Sequence, residues 1–341
     1  VIVCSSVHTR IPAKTQSKGA AFLGEESAAS LRRAGMQSNT GSEEHLETPI
    51  LQYAGGVIAA KLDRTEKELV HGVSFHISRG ESLALIGETG SGKTLIAQSV
   101  MGVLPGNVRL VSGEVLFCGK ALPKGKKLRS MLGREIVYIP QNGHEFLDPS
   151  RSIRRQMFDS IARLGIAAPL REAFAREKLT EAILDRYAFQ LSGGMAQRVT
   201  IALALCSEAK LLIADEPTNG LDQDSKQQTL SLLNDLFPDA AKLVITHDIS
   251  VAATCDRILV LCGGKMLETG SSALVLAAPR HPYTQALLGA LVENGMQETP
   301  ALRTETGTCP FYRRCPAAFG RCRAEIPRRT LEDREWWCCK E

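Results

Sequence analysis

The chain has 341 residues, 44% of them hydrophobic, enough for one large domain or two modest ones around a substantial core. Its net charge of +4 is mild and neither demands nor excludes a nucleic-acid partner. No apolar run approaches the roughly 20 residues a membrane helix needs; the richest, Ile201–Cys206 and Ala286–Val292, fall far short, so any membrane role has to come through partners.

Residues 1–48 are rich in Ser, Gly, Ala, Thr and charge without a sustained period, and read as a disordered extension. Its first residues lack the basic-then-apolar build of a secretory signal, and a cytoplasmic site is expected. From about Ile50 short apolar runs alternate with helix-like stretches. Ser82–Ile86, Glu135–Ile139, Leu211–Ala214, Leu243–Ile245 and Arg257–Leu261 are predicted strands. Such continuous runs, separated by helices, suggest an α/β sheet whose strands are covered on both faces. Ser152 to Ala188 has helical periodicity and reads as a helical insert. Beyond Gly270 the pattern turns to helix and then to a tail rich in Cys, Pro and Arg. Of ten cysteines, Cys4, Cys118, Cys206, Cys255 and Cys262 are scattered like ordinary buried thiols. The other five, Cys309, Cys315, Cys322, Cys338 and Cys339, crowd at the C-terminal end.

Directly after the predicted strand Ser82–Ile86 comes Gly87-Glu88-Thr89-Gly90-Ser91-Gly92-Lys93-Thr94, followed by a helix-like Leu95–Val103. Glycines let the backbone curl until successive N–H groups point at phosphate oxygens, and the helix N-terminus adds partial positive charge. Lys93 can then bridge β- and γ-phosphates and the Thr94 hydroxyl can ligate Mg²⁺. A nucleoside triphosphate site follows. Farther along, the apolar strand Leu211–Ala214 runs into Asp215 and Glu216. Asp215 is placed to hold the Mg²⁺ shell and Glu216 to act as general base on the attacking water. A third apolar run, Leu243–Ile245, leads through Thr246 to His247, which would face the same crevice at the carboxyl edge of a parallel sheet and contact the γ-phosphate.

Between these lies Leu191-Ser192-Gly193-Gly194-Met195-Ala196-Gln197-Arg198. This run resembles the signature motif of ABC ATPases, and residues of about 50–293 resemble their cassette, with every motif in order. The resemblance implies an α/β P-loop NTPase with a RecA-like mixed sheet core, an antiparallel β subdomain and a helical subdomain. It places the cassette at 49–270, the helical subdomain at about 142–190, and a C-terminal region at 271–341. It also implies that Leu191, Ser192, Gly193, Gly194 and Gln197 serve ATP held by an opposite subunit. Gln141 looks like the lid glutamine, a further Mg²⁺ ligand, Asp222 like part of the cross-dimer loop, and His247 like the switch histidine. Two departures stand out. Asn219-Gly220 replaces the usual Ser-Ala before Leu221-Asp222, and no aromatic residue lies between Lys61 and Gly72 to stack on adenine.

Arg280-His281-Pro282-Tyr283-Thr284 resembles the H-P-Y-T element of peptide and nickel importers, and the cysteines after it resemble their small Cys-rich C-terminal domain. In that family the domain can bind a [4Fe–4S] cluster, here through Cys309, Cys315, Cys322 and either Cys339 or Cys338. Four thiolates would equally suit zinc, and metal-free thiols are the plain alternative. Trp336 and Trp337 are expected to pack this domain, and Arg313, Arg314, Arg321, Arg323, Arg328 and Arg329 to form a solvated basic face. The resemblance implies an ATPase at the cytoplasmic face of the inner membrane, peripheral, using ATP and Mg²⁺. Its expected partners are a second cassette, more often a paralogue, two transmembrane permease subunits and an extracytoplasmic substrate-binding protein, with no nucleic acid. The rival is a soluble ABC ATPase acting on DNA or the ribosome. A coiled-coil insert or a second cassette would favour it, and neither is present; an exporter would commonly fuse a membrane domain. Nothing in the chain separates dipeptide, oligopeptide, nickel or a metal chelate as cargo.

Overall fold

The computed structural model describes residues 48–62, 65–164, 174–175, 177, 179–218, 230–231, 233–290 and 308–340. The expected N-terminal extension, apart from Thr48, lies outside the described residues, as do Asn219–Asp222 and part of the predicted helical insert. Two sheets organise the rest. One is antiparallel, in the order β2-β1-β4-β5, formed by β1 (Leu51–Leu62), β2 (Thr65–Ile77), β4 (Val108–Phe117) and β5 (Lys120–Ala121). The other runs β11-β12-β10-β9-β3-β8-β7-β6, with β10 at Lys265–Ser271, β11 at Arg328–Leu331 and β12 at Arg334–Trp337. Its parallel part joins β9 (Arg257–Cys262), β3 (Ser82–Ile86), β8 (Ala241–Thr246), β7 (Leu211–Asp215) and β6 (Ile136–Ile139).

Every residue of β3, β7 and β8 is buried, which is why these strands read as unbroken apolar runs rather than as an alternation. Side chains still alternate between faces. Leu83 and Leu85 pack with Tyr53, Phe75, Ile96 and Val100, so one face of β3 meets the antiparallel sheet and the helix Lys93–Met101. Ala84 and Ile86 pack with Val260, Tyr283, Phe311 and Cys309 on the other face. The antiparallel sheet is tied to the same helix by Tyr53, which stacks on Phe75 at 5.2 Å and whose hydroxyl lies 3.1 Å from Ser99 Oγ. A third group of buried side chains, among them Leu147, Ile153, Met157, Ile183 and Leu203, gives the region around the helix Ile153–Leu164 its own core.

The tail departs from expectation. β12 (Arg334–Trp337) pairs antiparallel with β10 (Lys265–Ser271), matching Glu268 with Trp336, and β11 (Arg328–Leu331) pairs with β12. The Cys-rich segment therefore extends the main sheet and fills the second face of β3 instead of folding around a core of its own. The arginines are not a simple solvated face. Arg314 pairs with Glu88 and Arg328 with Glu335, while Arg329 donates to the Cys338 carbonyl and Arg323 to the Tyr312 hydroxyl. The indole rings pack beneath arginines: Arg280 lies 5.7 Å from the Trp336 centroid and Arg328 6.0 Å from that of Trp337.

Candidate active site

Parallel register aligns the strand ends. Ile86 faces Thr246, Asp215 faces Ile245 and Ile139 faces Ala214, so the residues that follow β3, β7, β8 and β6 emerge along one carboxyl edge. A cleft of about 420 Å³ opens there, lined by Thr89, Gly90, Gly92, Lys93, Thr94, Gln141, Asp215, Glu216 and His247, with Leu69 and Ile245. Residues far apart in sequence thus meet at one cleft.

The loop leaves β3 through Gly87 at φ 149, where an added Cβ would sit 2.0 Å from the Leu261 carbonyl oxygen; only glycine passes. Gly92, at φ 100, opens the helix Lys93–Met101 with no side-chain cap, which leaves first-turn N–H groups free for an anion. Buried Lys93 donates from Nζ to the carbonyls of Gly87 at 2.6 Å and Glu88 at 3.0 Å. Burial holds its ammonium below the usual range, against the raising pull of Glu216, Asp215 and Glu88. Ser91 Oγ is buried without a hydrogen-bond partner among the described residues. An anionic ligand with many acceptor oxygens suits a loop with spare donors of this kind.

Asp215 ends β7 buried, its carboxyl pushed up chiefly by desolvation, while bonds from Tyr138 and Thr94 pull it down. The Tyr138 hydroxyl lies 3.3 Å from Asp215 Oδ2. Burial and the Asp215 charge raise the Tyr138 phenol, which therefore stays a donor. Glu216 sits at φ 48, a left-handed conformation that costs a non-glycine residue on the order of 1–3 kcal/mol. Its N–H bonds the Ile245 carbonyl at 2.8 Å, which fixes the turn. Glu216 Oε1 lies 2.7 Å from His247 Nδ1, and Oε2 accepts from Thr246 Oγ1 at 3.3 Å. The carboxylate is therefore aimed into the cleft from a strained turn. The hydroxyl of Thr94, the Gln141 amide and the Asp215 carboxylate supply the hard oxygen donors Mg²⁺ prefers.

The signature residues lie elsewhere. Ser192 caps the helix Gly193–Leu205 by accepting from the Met195 N–H at 3.3 Å, and a Cβ built on Gly193 or Gly194 would meet nothing within 4 Å beyond its chain neighbours and the helix's own backbone. That helix N-terminus is open. Gln197, grouped with these residues on sequence, turns inward instead. Its amide donates to the Pro140 carbonyl at 3.1 Å and the Pro217 carbonyl at 3.5 Å. Helical periodicity accounts for this: five positions after Ser192, Gln197 has rotated to the buried face, where it ties the loops of Gln141 and Glu216 together. Asp222 lies outside the described residues. Leu69 stands in the cleft in the stretch where no aromatic residue occurs. Leu69→Tyr is expected to tighten ATP binding about fivefold or more, since base–aromatic stacking contributes about 1–3 kcal/mol. An unchanged dissociation constant in nucleotide titration would place the base elsewhere.

Sequence reasoning missed two groups at the loop. The Tyr283 hydroxyl accepts from the Glu88 N–H at 3.0 Å, and Arg314 grips the Glu88 carboxylate with both terminal nitrogens, at 2.6 and 2.8 Å. Nothing local signals either contact, which span 195 and 226 residues. The tail cysteines do assemble: Cys309, Cys315, Cys322, Cys338 and Cys339 line one small cavity with His281. His281 Nδ1 accepts from the Tyr283 N–H, which turns Nε2 toward Cys309 Sγ at 3.9 Å. Among the described residues, however, no three His, Cys, Asp or Glu side chains stand where they could hold a metal ion. The cavity, about 20 Å³, has room for little more than a water.

Comparison with known proteins identifies the family. Residues 70–219 match the ABC transporter family and residues 267–322 match the oligopeptide/dipeptide transporter C-terminal region. The dipeptide transport ATP-binding protein DppD of Bacillus subtilis is 34% identical over 313 residues, covering 85% of this chain and 90% of that protein. DppD of Escherichia coli is 35% identical over 277 residues, covering 75% and 85%. Among solved structures, a dimeric ATP-binding cassette bound to ADP and Pi matches with a TM-score of 0.58 at 23% identity, over 65% of this chain and 98% of that one, a likeness of fold. CbiO1 of Clostridium perfringens matches with a TM-score of 0.54 at 27% identity, over 68% and 92%. By its cassette and by the region that follows it, the chain belongs to the ATP-binding proteins of ABC transporters, in the group carrying the oligopeptide/dipeptide transporter C-terminal region.

Proposed function

We propose that this chain hydrolyses ATP to power import of short peptides across a membrane. The observation that carries the reading is the convergence of Lys93, Thr94, Gln141, Asp215, Glu216 and His247 on one cleft at the carboxyl edge of the sheet. Lys93 and the loop N–H groups would hold the β- and γ-phosphates, and Thr94, Asp215 and Gln141 the Mg²⁺, whose charge offsets that of the phosphates. Glu216, held by Thr246, would take the proton of the attacking water. His247 would contact the γ-phosphate once that group displaces it from Glu216. The open N-terminus at Ser192, Gly193 and Gly194 would complete the site of a second cassette across the interface.

Peptide rather than nickel as cargo is favoured by the relatives, whose names specify dipeptide or oligopeptide transport. Among the described residues no helix is long and apolar enough to cross a membrane. The proposed place of action is the cytoplasmic face, through two permease subunits, a sister cassette and an extracytoplasmic binding protein. Affinity capture of the full chain from gently solubilised membranes tests this. Two polytopic subunits and a sister cassette are the expected companions. Ribosomal or DNA-repair proteins in their place would leave the ATPase and overturn the transport role.

An iron–sulfur role for the tail rests on its chemistry alone, a soft thiol set with no carboxylate among the residues lining the cavity. The segment would have to open to admit a cluster. Anaerobic reconstitution with iron and sulfide tests this: visible absorption that Cys309→Ser or Cys315→Ser abolishes would support the cluster. A colourless protein with five titratable tail thiols would reduce the site to a thiol pocket.

A further inference from the structure

Three contacts join the C-terminal segment to the phosphate loop. The Tyr283 hydroxyl accepts from the Glu88 backbone N–H, and the Arg314 guanidinium binds the Glu88 carboxylate in a bidentate pair. Phe311, buried, bridges the two: its ring lies edge-on to Tyr283 at 5.3 Å and beneath Arg314 at 5.2 Å. Tyr283 is itself 1% exposed and Arg314 24% exposed, so neither is free to wander. Glu88 is the second residue of the loop that curls around the phosphates. Its charge acts on Lys93, so it also acts on any phosphate that Lys93 holds. A bare carboxylate at this position would repel the ligand. Bidentate pairing and the aromatic shelf set this contact apart from an ordinary surface ion pair, which contributes little.

We propose that the C-terminal segment is a working part of the nucleotide site, in which Arg314 and Tyr283 are positioning residues: Arg314 neutralises Glu88, Tyr283 fixes its backbone, and ATP affinity depends on both. The proposal rests on the reading of Gly87–Thr94 as the ATP site, and it needs no metal in the thiol cavity. It extends the site from the cassette to the region after it, which the order of motifs along the chain gives no reason to include.

Equilibrium binding of MgATP to the full chain tests it, with the unfolding temperature of each nucleotide-free variant measured alongside. Arg314→Ala is expected to weaken binding about tenfold, with a deficit that shrinks as salt screens Glu88. Arg314→Lys should recover part of the loss. The decisive variant adds Glu88→Gln to Arg314→Ala: with the unpaired carboxylate gone, affinity should return to within about threefold of wild type. Tyr283→Phe, which keeps the ring packing and removes the acceptor, should also weaken binding. Wild-type affinity in Arg314→Ala overturns the proposal. So does a double variant as weak as the single one, because loss of packing alone would not be repaired by removing a charge. Lys93→Ala in the same series reports separately on the ATP site: if it bound ATP as wild type does, the underlying reading would fail, whatever Arg314 does.

Discussion

Glu216→Gln is expected to lower ATP turnover by at least about 100-fold while leaving MgATP binding unchanged or tighter. The size follows from what general-base catalysis supplies, typically 10²–10⁴-fold. The direction on binding follows from the surroundings. Glutamine is nearly isosteric, and its amide can still meet Thr246 Oγ1 and His247 Nδ1, the two groups that now hold the carboxylate. What disappears is one negative charge beside the buried Asp215, whose carboxyl that charge helps to raise. A cleft with one fewer anion attracts a polyphosphate more strongly. The variant should accumulate with ATP bound, in the closed dimer if two cassettes pair as proposed. Phosphate release at saturating MgATP, paired with equilibrium nucleotide binding, measures both effects. Turnover near wild type would remove Glu216 from the base role. A parallel collapse of binding would point instead to damage at the strained turn, where φ is 48.

The catalytic edge was legible because its chemistry is local. In a phosphate loop, glycines, lysine and hydroxyl lie within one turn of chain, and a buried parallel strand announces itself as an apolar run ending in acids. Strands β3, β7, β8 and β9 therefore stand within a residue or two of where the apolar runs placed them. The antiparallel sheet had no such signal. β1 and β2 change register between Tyr53 and Gly56 and again near Ile58, so the two-residue alternation breaks before it can be counted. β11 and β12, Arg-Arg-Thr-Leu and Arg-Glu-Trp-Trp, look like charged surface. They become strands only because the edge of β10 is there to pair with. Arg314 is the sharpest case. In the sequence it is one of several arginines in a basic tail, and its meaning comes from Glu88, which the fold alone brings near.

Lys93→Ala is expected to raise the ATP dissociation constant by about 100-fold or more, the largest binding loss of any single change in the cleft. Lys93 now spends its ammonium on the carbonyls of Gly87 and Glu88, which gives the loop a ready-made curvature before nucleotide arrives. Removing it deletes the charge that would meet the β- and γ-phosphates and unpairs both carbonyls. It also leaves Asp215 and Glu216 facing the ligand without the buried cation that balances them. The stability cost should be small by comparison, about 1 kcal/mol, because water can reach the freed carbonyls through the open cleft. Lys93→Arg should not rescue fully, since a planar fork cannot occupy the position of a compact ammonium between two carbonyls of adjacent residues. Nucleotide titration against urea unfolding separates these effects. If both variants bound ATP within about threefold of wild type, the reading of Gly87–Thr94 as the ATP site would fail.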